Sequence, residues 1–125
     1  MSTWHDGFMK RIESDAMRSV QGLVDALADA RQVFREVEQS FQRALRKADR
    51  SGDVQTALLS PQLGVWRQSV NDAIDEIERQ RREMRIKLFA LARSGDYSVG
   101  ELGRMFGFSR QLASKYANEL NDQGH

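Results

Sequence analysis

"VQGLVDALADARQVFREVEQSFQRALRKA", residues 20–48, decides the fold. Its apolar positions step by three and four: Val20, Leu23, Leu27, Ala30, Phe34, Val37, Phe41, Ala44 and Ala48. That is a seven-residue repeat held for about four heptads, the spacing of a coiled-coil or bundle seam. Phe8, Ile12 and Ala16 extend it upstream at i,i+4. No proline interrupts it, so one helix is expected from Gly7 to Arg50, roughly 65 Å long at 1.5 Å per residue. Val24 and Leu45 widen the apolar stripe, so this helix has more than one neighbour to cover.

Downstream, "RSGD" at 50–53 is the stop, with Gly52 suited to the left-handed backbone that ends a helix. Asp53 is placed to cap a short turn through "VQTALL". Ser60-Pro61 then reads as a new start, serine as N-cap and proline at the first helical position. A second long helix is expected from Pro61 to Arg93, with a seam of Val70, Ile74, Ile77, Arg81, Met84, Leu88 and Leu91. Arg81 is the flaw in that repeat. A connection of this length returns the second helix antiparallel along the first, with Trp66 near the turn and Trp4 and Phe8 at the far end.

"RSGDYS" at 93–98 repeats the stop, with Gly95 expected at the C-cap. Ser98 and Glu101 form a capping box for a short helix, Val99 to Phe106. A last helix is expected from Arg110 to Asn121, capped by Ser109. The fold class is therefore all-α: a long antiparallel, coiled-coil-like hairpin followed by three helices, the first being the end of the second long helix. The expected division is 1–83 for the hairpin, serving dimerisation, and 84–125 for the C-terminal domain.

Bulk properties narrow the class further. Charged residues make up 30% of the chain and there is one proline among 125 residues, which suits long exposed helices and argues against an all-β fold. With no cysteine, a disulfide framework and thiolate metal sites are excluded. No stretch approaches the roughly 20 apolar residues of a membrane span, and "MSTWHDGFMKRIESD" lacks the apolar core of a signal peptide. The expectation is a soluble, cytoplasmic protein, nucleoid-associated if it binds DNA. Residues 1–78 carry 10 basic and 13 acidic side chains, a balance of −3, whereas 79–125 carry 9 and 5, a balance of +4. A neutral-to-acidic front and a basic rear suggest two jobs along one chain.

"SVGELGRMFGFSRQLASKYANEL", residues 98–120, resembles the helix-turn-helix of bacterial and phage DNA-binding regulators. With "KLFALARSGDY" as leading helix the resemblance spans the last third of the chain. Leu102 matches the inward residue of the first short helix and Gly103 the small residue at the helix crossing. Gly107 matches the turn, Phe108 the apolar plug, and Ser109 the cap of the recognition helix. Ala113, Tyr116 and Leu120 then face inward. Phe106 and Phe108 are bulkier, and Ala113 smaller, than the residues usual in such motifs. No strand-turn-strand follows Leu120, so a winged variant is not expected.

The resemblance implies duplex-DNA binding, with the recognition helix in the major groove and its N-terminal part nearest the bases. The face left over is Arg110, Gln111, Ser114, Lys115 and Asn118. Arg can donate two hydrogen bonds to guanine and Gln can pair with adenine; Ser114 and Lys115 are suited to bases or phosphate. Arg104 and Tyr97 are candidate phosphate-backbone contacts, and the helix N-terminus capped by Ser109 offers N–H groups to phosphate.

The basic run "RQRREMRIK", 79–87, has two readings, a phosphate-contacting approach or a solvated helix flank. The long hairpin also has two, an intramolecular core alone or one that joins a second copy through Val24 and Leu45. The second gives a homodimer whose heads read two half-sites about 34 Å apart. The expected function is therefore sequence-specific DNA binding by a dimeric transcriptional regulator. The alternatives are a helical scaffold or adaptor whose terminal domain binds proteins, and an architectural or segregation protein of low sequence preference. Catalysis and cofactors find no support. His5 and His125 lie near the termini, no His/Glu set has ligand spacing, and Ser109 is better explained as a cap than as a nucleophile.

Overall fold

α1 runs from Thr3 to Ser51 without a break, because its 49 residues contain no proline and repeat apolar residues at helical spacing. The computed structural model describes residues 3–107 together with 109, 111, 112, 114, 115, 118 and 119, and describes side chains from Gly7 onward. Trp4, His5, Phe108, Arg110, Ala113, Tyr116, Leu120 and His125 therefore lie outside what is described here, as residues or as side chains. Among the described residues every regular element is a helix, so the chain is all-α. None of these helices is long and apolar enough to cross a membrane.

Local chemistry explains each stop and start. Gly52, at φ 73°, closes α1 with its N–H donating to the Ala48 carbonyl at 3.0 Å. Asp53 caps α2 (Val54–Leu58), its carboxylate accepting from the Thr56 N–H at 3.2 Å. Pro61 opens α3 (Pro61–Gly64) as expected of a residue with no N–H to satisfy. Ser60, however, makes no side-chain cap bond there.

The second long helix does not begin at Pro61. α3 ends at Gly64 and α4 spans Trp66–Ser94. Val65 between them keeps right-handed helical angles (φ −74°, ψ −26°), so the hydrogen-bond ladder is interrupted rather than the chain reversed. α4 ends in a paired C-terminal motif: Asp96 N–H donates to Arg93 O at 3.4 Å, and Tyr97 N–H to Ala92 O at 3.3 Å. The left-handed residue is Asp96, at φ 72°, not the expected Gly95. The Tyr97 ring lies over Gly95, where an added Cβ would stand 3.5 Å from Cε2. α5 follows as Val99–Phe106.

Two compact units form: residues 1–23 with 80–125, and residues 24–79. In the 24–79 unit, Phe41 of α1 meets Trp66 of α4 edge-on at 5.4 Å between ring centres. Ala26, Ala30 and Val33 share a groove with Ser69, Ala73 and Glu76. Numbers fall along one helix as they rise along the other, so α1 and α4 run antiparallel in this unit.

The inward line of α1 departs from the expected seam at Val20, Leu27 and Phe34 and rejoins it at Phe41. Ala30, Ala44 and Ala48 are buried, and Leu23, Val37 and Phe41 half-buried, as expected. Before Phe41 the inward places are taken by Ser19, Ala26 and Val33, while Val20, Leu27 and Phe34, one residue on, stay exposed. Small residues let two helix backbones approach closely, and the larger neighbours are turned aside. In α4 the expected Ile74 and Arg81 are exposed, and Val70, Ile77, Met84, Leu88 and Leu91 are half-buried.

Candidate nucleic-acid interface

The C-terminal elements are built around Phe89 and Leu102, the two largest fully buried side chains among the described residues. Ile86 and Ala92 complete the buried cluster, and Val99, Phe106 and Leu112 pack against it. Every residue from Met84 to Ala92 is buried or half-buried, so the end of α4 is covered all round. Its heptad positions account for one side only. Ile86, Phe89 and Ala92 supply the side that receives α5 and Leu112. The α4 seam omitted these three, although "IKLFALA", 86–92, is apolar at every position except Lys87. A helix apolar on all sides is a buried one, and that was the signal available.

α5 is set by its capping box: Ser98 Oγ accepts from the Glu101 N–H at 3.1 Å, and the Ser98 N–H donates to Glu101 Oε2 at 3.4 Å. Leu102 and Gly103 face inward and are buried; Arg104 and Met105 face out. Gly107 ends α5 in the left-handed conformation, φ 69° and ψ 28°, with its N–H on the Gly103 carbonyl. Ser109 then caps the next helical segment, its Oγ accepting from the Leu112 N–H at 3.2 Å. Residues 111, 112, 114, 115, 118 and 119 are helical.

This last segment has two sides. Leu112 packs on the cluster, and Glu119, seven residues on and half-buried, pairs with Arg82 of α4 at 3.7 Å. Away from that side, Gln111, Ser114, Lys115 and Asn118 are all exposed. Their spacing of i, i+3, i+4 and i+7 places them on one face. The structure thus brings Gln111, Ser114, Lys115 and Asn118 together behind the Ser109 cap. Arg104 is exposed on α5, Tyr97 is half-exposed at the turn before it, and Arg110 lies outside the described residues. Glu119 was not foreseen as a contact. A single carboxylate gives no sequence cue to a cation 37 positions earlier.

The basic run is partly neutralised within the fold. Arg79 binds Glu76 at 2.7 Å, Lys87 binds Glu83 at 3.7 Å, and Arg82 holds Glu119. All three pairs reach solvent, so each contributes little to stability and remains open to competition by other anions. Among the described residues no three His, Cys, Asp or Glu side chains gather to hold a metal ion.

No family model, curated protein or solved structure matches this chain. The functional reading therefore rests on residues and geometry alone. Val24 and Leu45, the two residues expected to meet a second copy, both stand exposed on α1, at 50% and 60% of their full surface.

Proposed function

We propose that this protein binds double-stranded DNA in a sequence-specific way, as a dimeric transcriptional regulator. In this reading the antiparallel hairpin of α1 and α4 carries dimerisation. The end of α4, α5 and the helical segment after Ser109 act as a helix-turn-helix. The observation that carries it is the exposed polar face of Gln111, Ser114, Lys115 and Asn118 on a helix whose other side is fixed to a core. The short α5, the left-handed Gly107 and the Ser109 cap before that face support the same reading.

In the major groove, Gln111 near the helix N-terminus would reach an adenine edge through two hydrogen bonds, with Arg110 beside it in sequence for guanine. Lys115, Ser114 and Asn118 would contact bases or phosphate, and Arg104 the phosphate backbone. Two such heads would read half-sites about 34 Å apart or a multiple of that. Phosphate contacts would make affinity fall steeply with salt.

The test is selection of bound sequences from random duplex DNA, followed by Gln111→Ala and Lys115→Ala on the selected site. A palindromic consensus is expected. Gln111→Ala should cost about 1–3 kcal/mol on that site and little on random DNA. Equal losses on all sequences would favour an architectural DNA binder. Absence of binding at low salt would favour the scaffold reading, in which the same domain docks a protein. The ion pairs that occupy Arg79, Arg82 and Lys87 are the observation on that reading's side.

A further inference from the structure

The buried side chains of the 24–79 unit are all alanines: Ala26, Ala30, Ala44, Ala48 and Ala57. Its larger apolar residues are at most half-buried, and several stand exposed, among them Leu27 at 49%, Phe34 at 42% and Ile74 at 45%. Leu27 and Phe34 share an open groove with Ile77, edged by Arg31, Arg35 and Glu38, whereas the groove on the other flank is lined by Ala26, Val33 and Ala73 and edged by Asp29, Asp72 and Glu76. Soluble monomers rarely leave a contiguous apolar patch beyond a few hundred Å² uncovered.

What covers it is written in the charges beside it. Val24, Arg31, Glu38 and Leu45 stand seven residues apart, so they form one line on α1 next to Leu27 and Phe34. The line reads apolar, basic, acidic, apolar. Both charged side chains are exposed, and among the described residues Arg31 makes no ion pair. A two-fold interface brings residue i against j and j against i. In an antiparallel pairing with the axis midway between 31 and 38, Arg31 meets the partner's Glu38 twice over. The same register sets Val24 against the partner's Leu45 at both ends of a strip about 30 Å long. A parallel pairing would oppose Arg31 to Arg31 and Glu38 to Glu38.

We propose that this face binds a second copy of the chain, α1 against α1 antiparallel, with the two-fold axis beside Phe34. The inference deepens the dimeric part of the proposed function and is independent of DNA binding.

The test uses the full-length chain, with molar mass in solution measured over a concentration series. Wild type, Arg31→Glu, Glu38→Arg and an equimolar mixture of the two variants are compared. Wild type is expected at twice 14.3 kDa. Each single variant places like charges together at both contacts and should self-associate at least about tenfold more weakly. The mixture should regain the dimer mass, because one copy's acidic line then faces the other's basic line. Recombination also separates lost pairing from lost folding, since an unfolded variant would not be rescued by another. A wild type at 14.3 kDa throughout overturns the dimer itself. A dimeric wild type whose single variants stay dimeric, or fail to recombine, overturns this face and register and leaves a dimer through another surface.

Discussion

Asp96 carries the left-handed turn that ends α4, an unfavourable backbone for any residue with a Cβ. Asp96→Gly removes that penalty and should stabilise the fold by about 0.5–1 kcal/mol, read as a raised denaturation midpoint. Gly107→Ala is the converse. An added Cβ would meet nothing within 4 Å, so the expected loss of about 1 kcal/mol is conformational alone. A Gly107→Ala variant as stable as wild type would show that the turn relaxes. Asp53 gives a pH signature. Thr56, first through its side chain and then through its N–H, holds the Asp53 carboxyl below its ordinary 3.8. A folded value below the unfolded one means the stabilisation is full above 3.8 and fades as pH falls through the lower folded value. The melting-temperature gap between wild type and Asp53→Ala should therefore narrow on acidification below that point. A gap that does not change with pH would remove the carboxylate from the account. Caps such as Ser98 with Glu101, Asp53 and Ser109 are legible in sequence because each is a bond to a backbone group three residues on. The choice of Asp96 over Gly95 is not, because it depends on where the last turn of α4 closes and how the Tyr97 ring seats over Gly95.

At the scale of the element, heptad spacing identifies α1 as a helix with an apolar seam but does not choose between two adjacent lines. Positions 19, 26 and 33 and positions 20, 27 and 34 are one residue apart, and both carry apolar or small side chains. Packing selects the smaller set, since Ala26 lets a neighbouring helix come close and Leu27 would hold it off. Two substitutions distinguish the lines. Ala26→Leu adds volume to a buried position and should destabilise by about 1–3 kcal/mol. Leu27→Ala removes an exposed side chain and should leave the monomer within about 0.5 kcal/mol of wild type, while weakening self-association. Denaturation at low and high protein concentration reads both effects. If Leu27→Ala were the more damaging of the two at low concentration, the expected seam through Val20, Leu27 and Phe34 would be the true inward line. The end of α4 teaches the complementary point. A heptad describes one contact face, and Met84–Ala92 has more than one, so Ile86 and Phe89 fall between its positions.

Across the whole molecule, the two compact units differ in what they bury. The unit of 1–23 and 80–125 closes on Phe89, Leu102 and Ile86, whereas the unit of 24–79 buries only alanines. Each buried methylene contributes about 0.8 kcal/mol, so alanine methyls with half-buried Val37, Phe41 and Ile77 hold a single copy of 24–79 less firmly than Phe89 and Leu102 hold the other unit. Its larger apolar side chains contribute fully only when something covers them, and a second copy does so in proportion to its concentration. Amide hydrogen exchange on the full chain makes this measurable residue by residue. At low concentration, amides around Phe89 and Leu102 should exchange slowest, and those of α1 between Val24 and Leu45 markedly faster. Raising the concentration should slow exchange from Val24 to Leu45 and leave Phe89 and Leu102 unchanged. Arg31→Glu should abolish that dependence, and adding Glu38→Arg chains should restore it. Protection that is uniform over both units and independent of concentration would mean that the alanine-lined core suffices without a partner. The exposed line of Leu27 and Phe34 would then need another occupant.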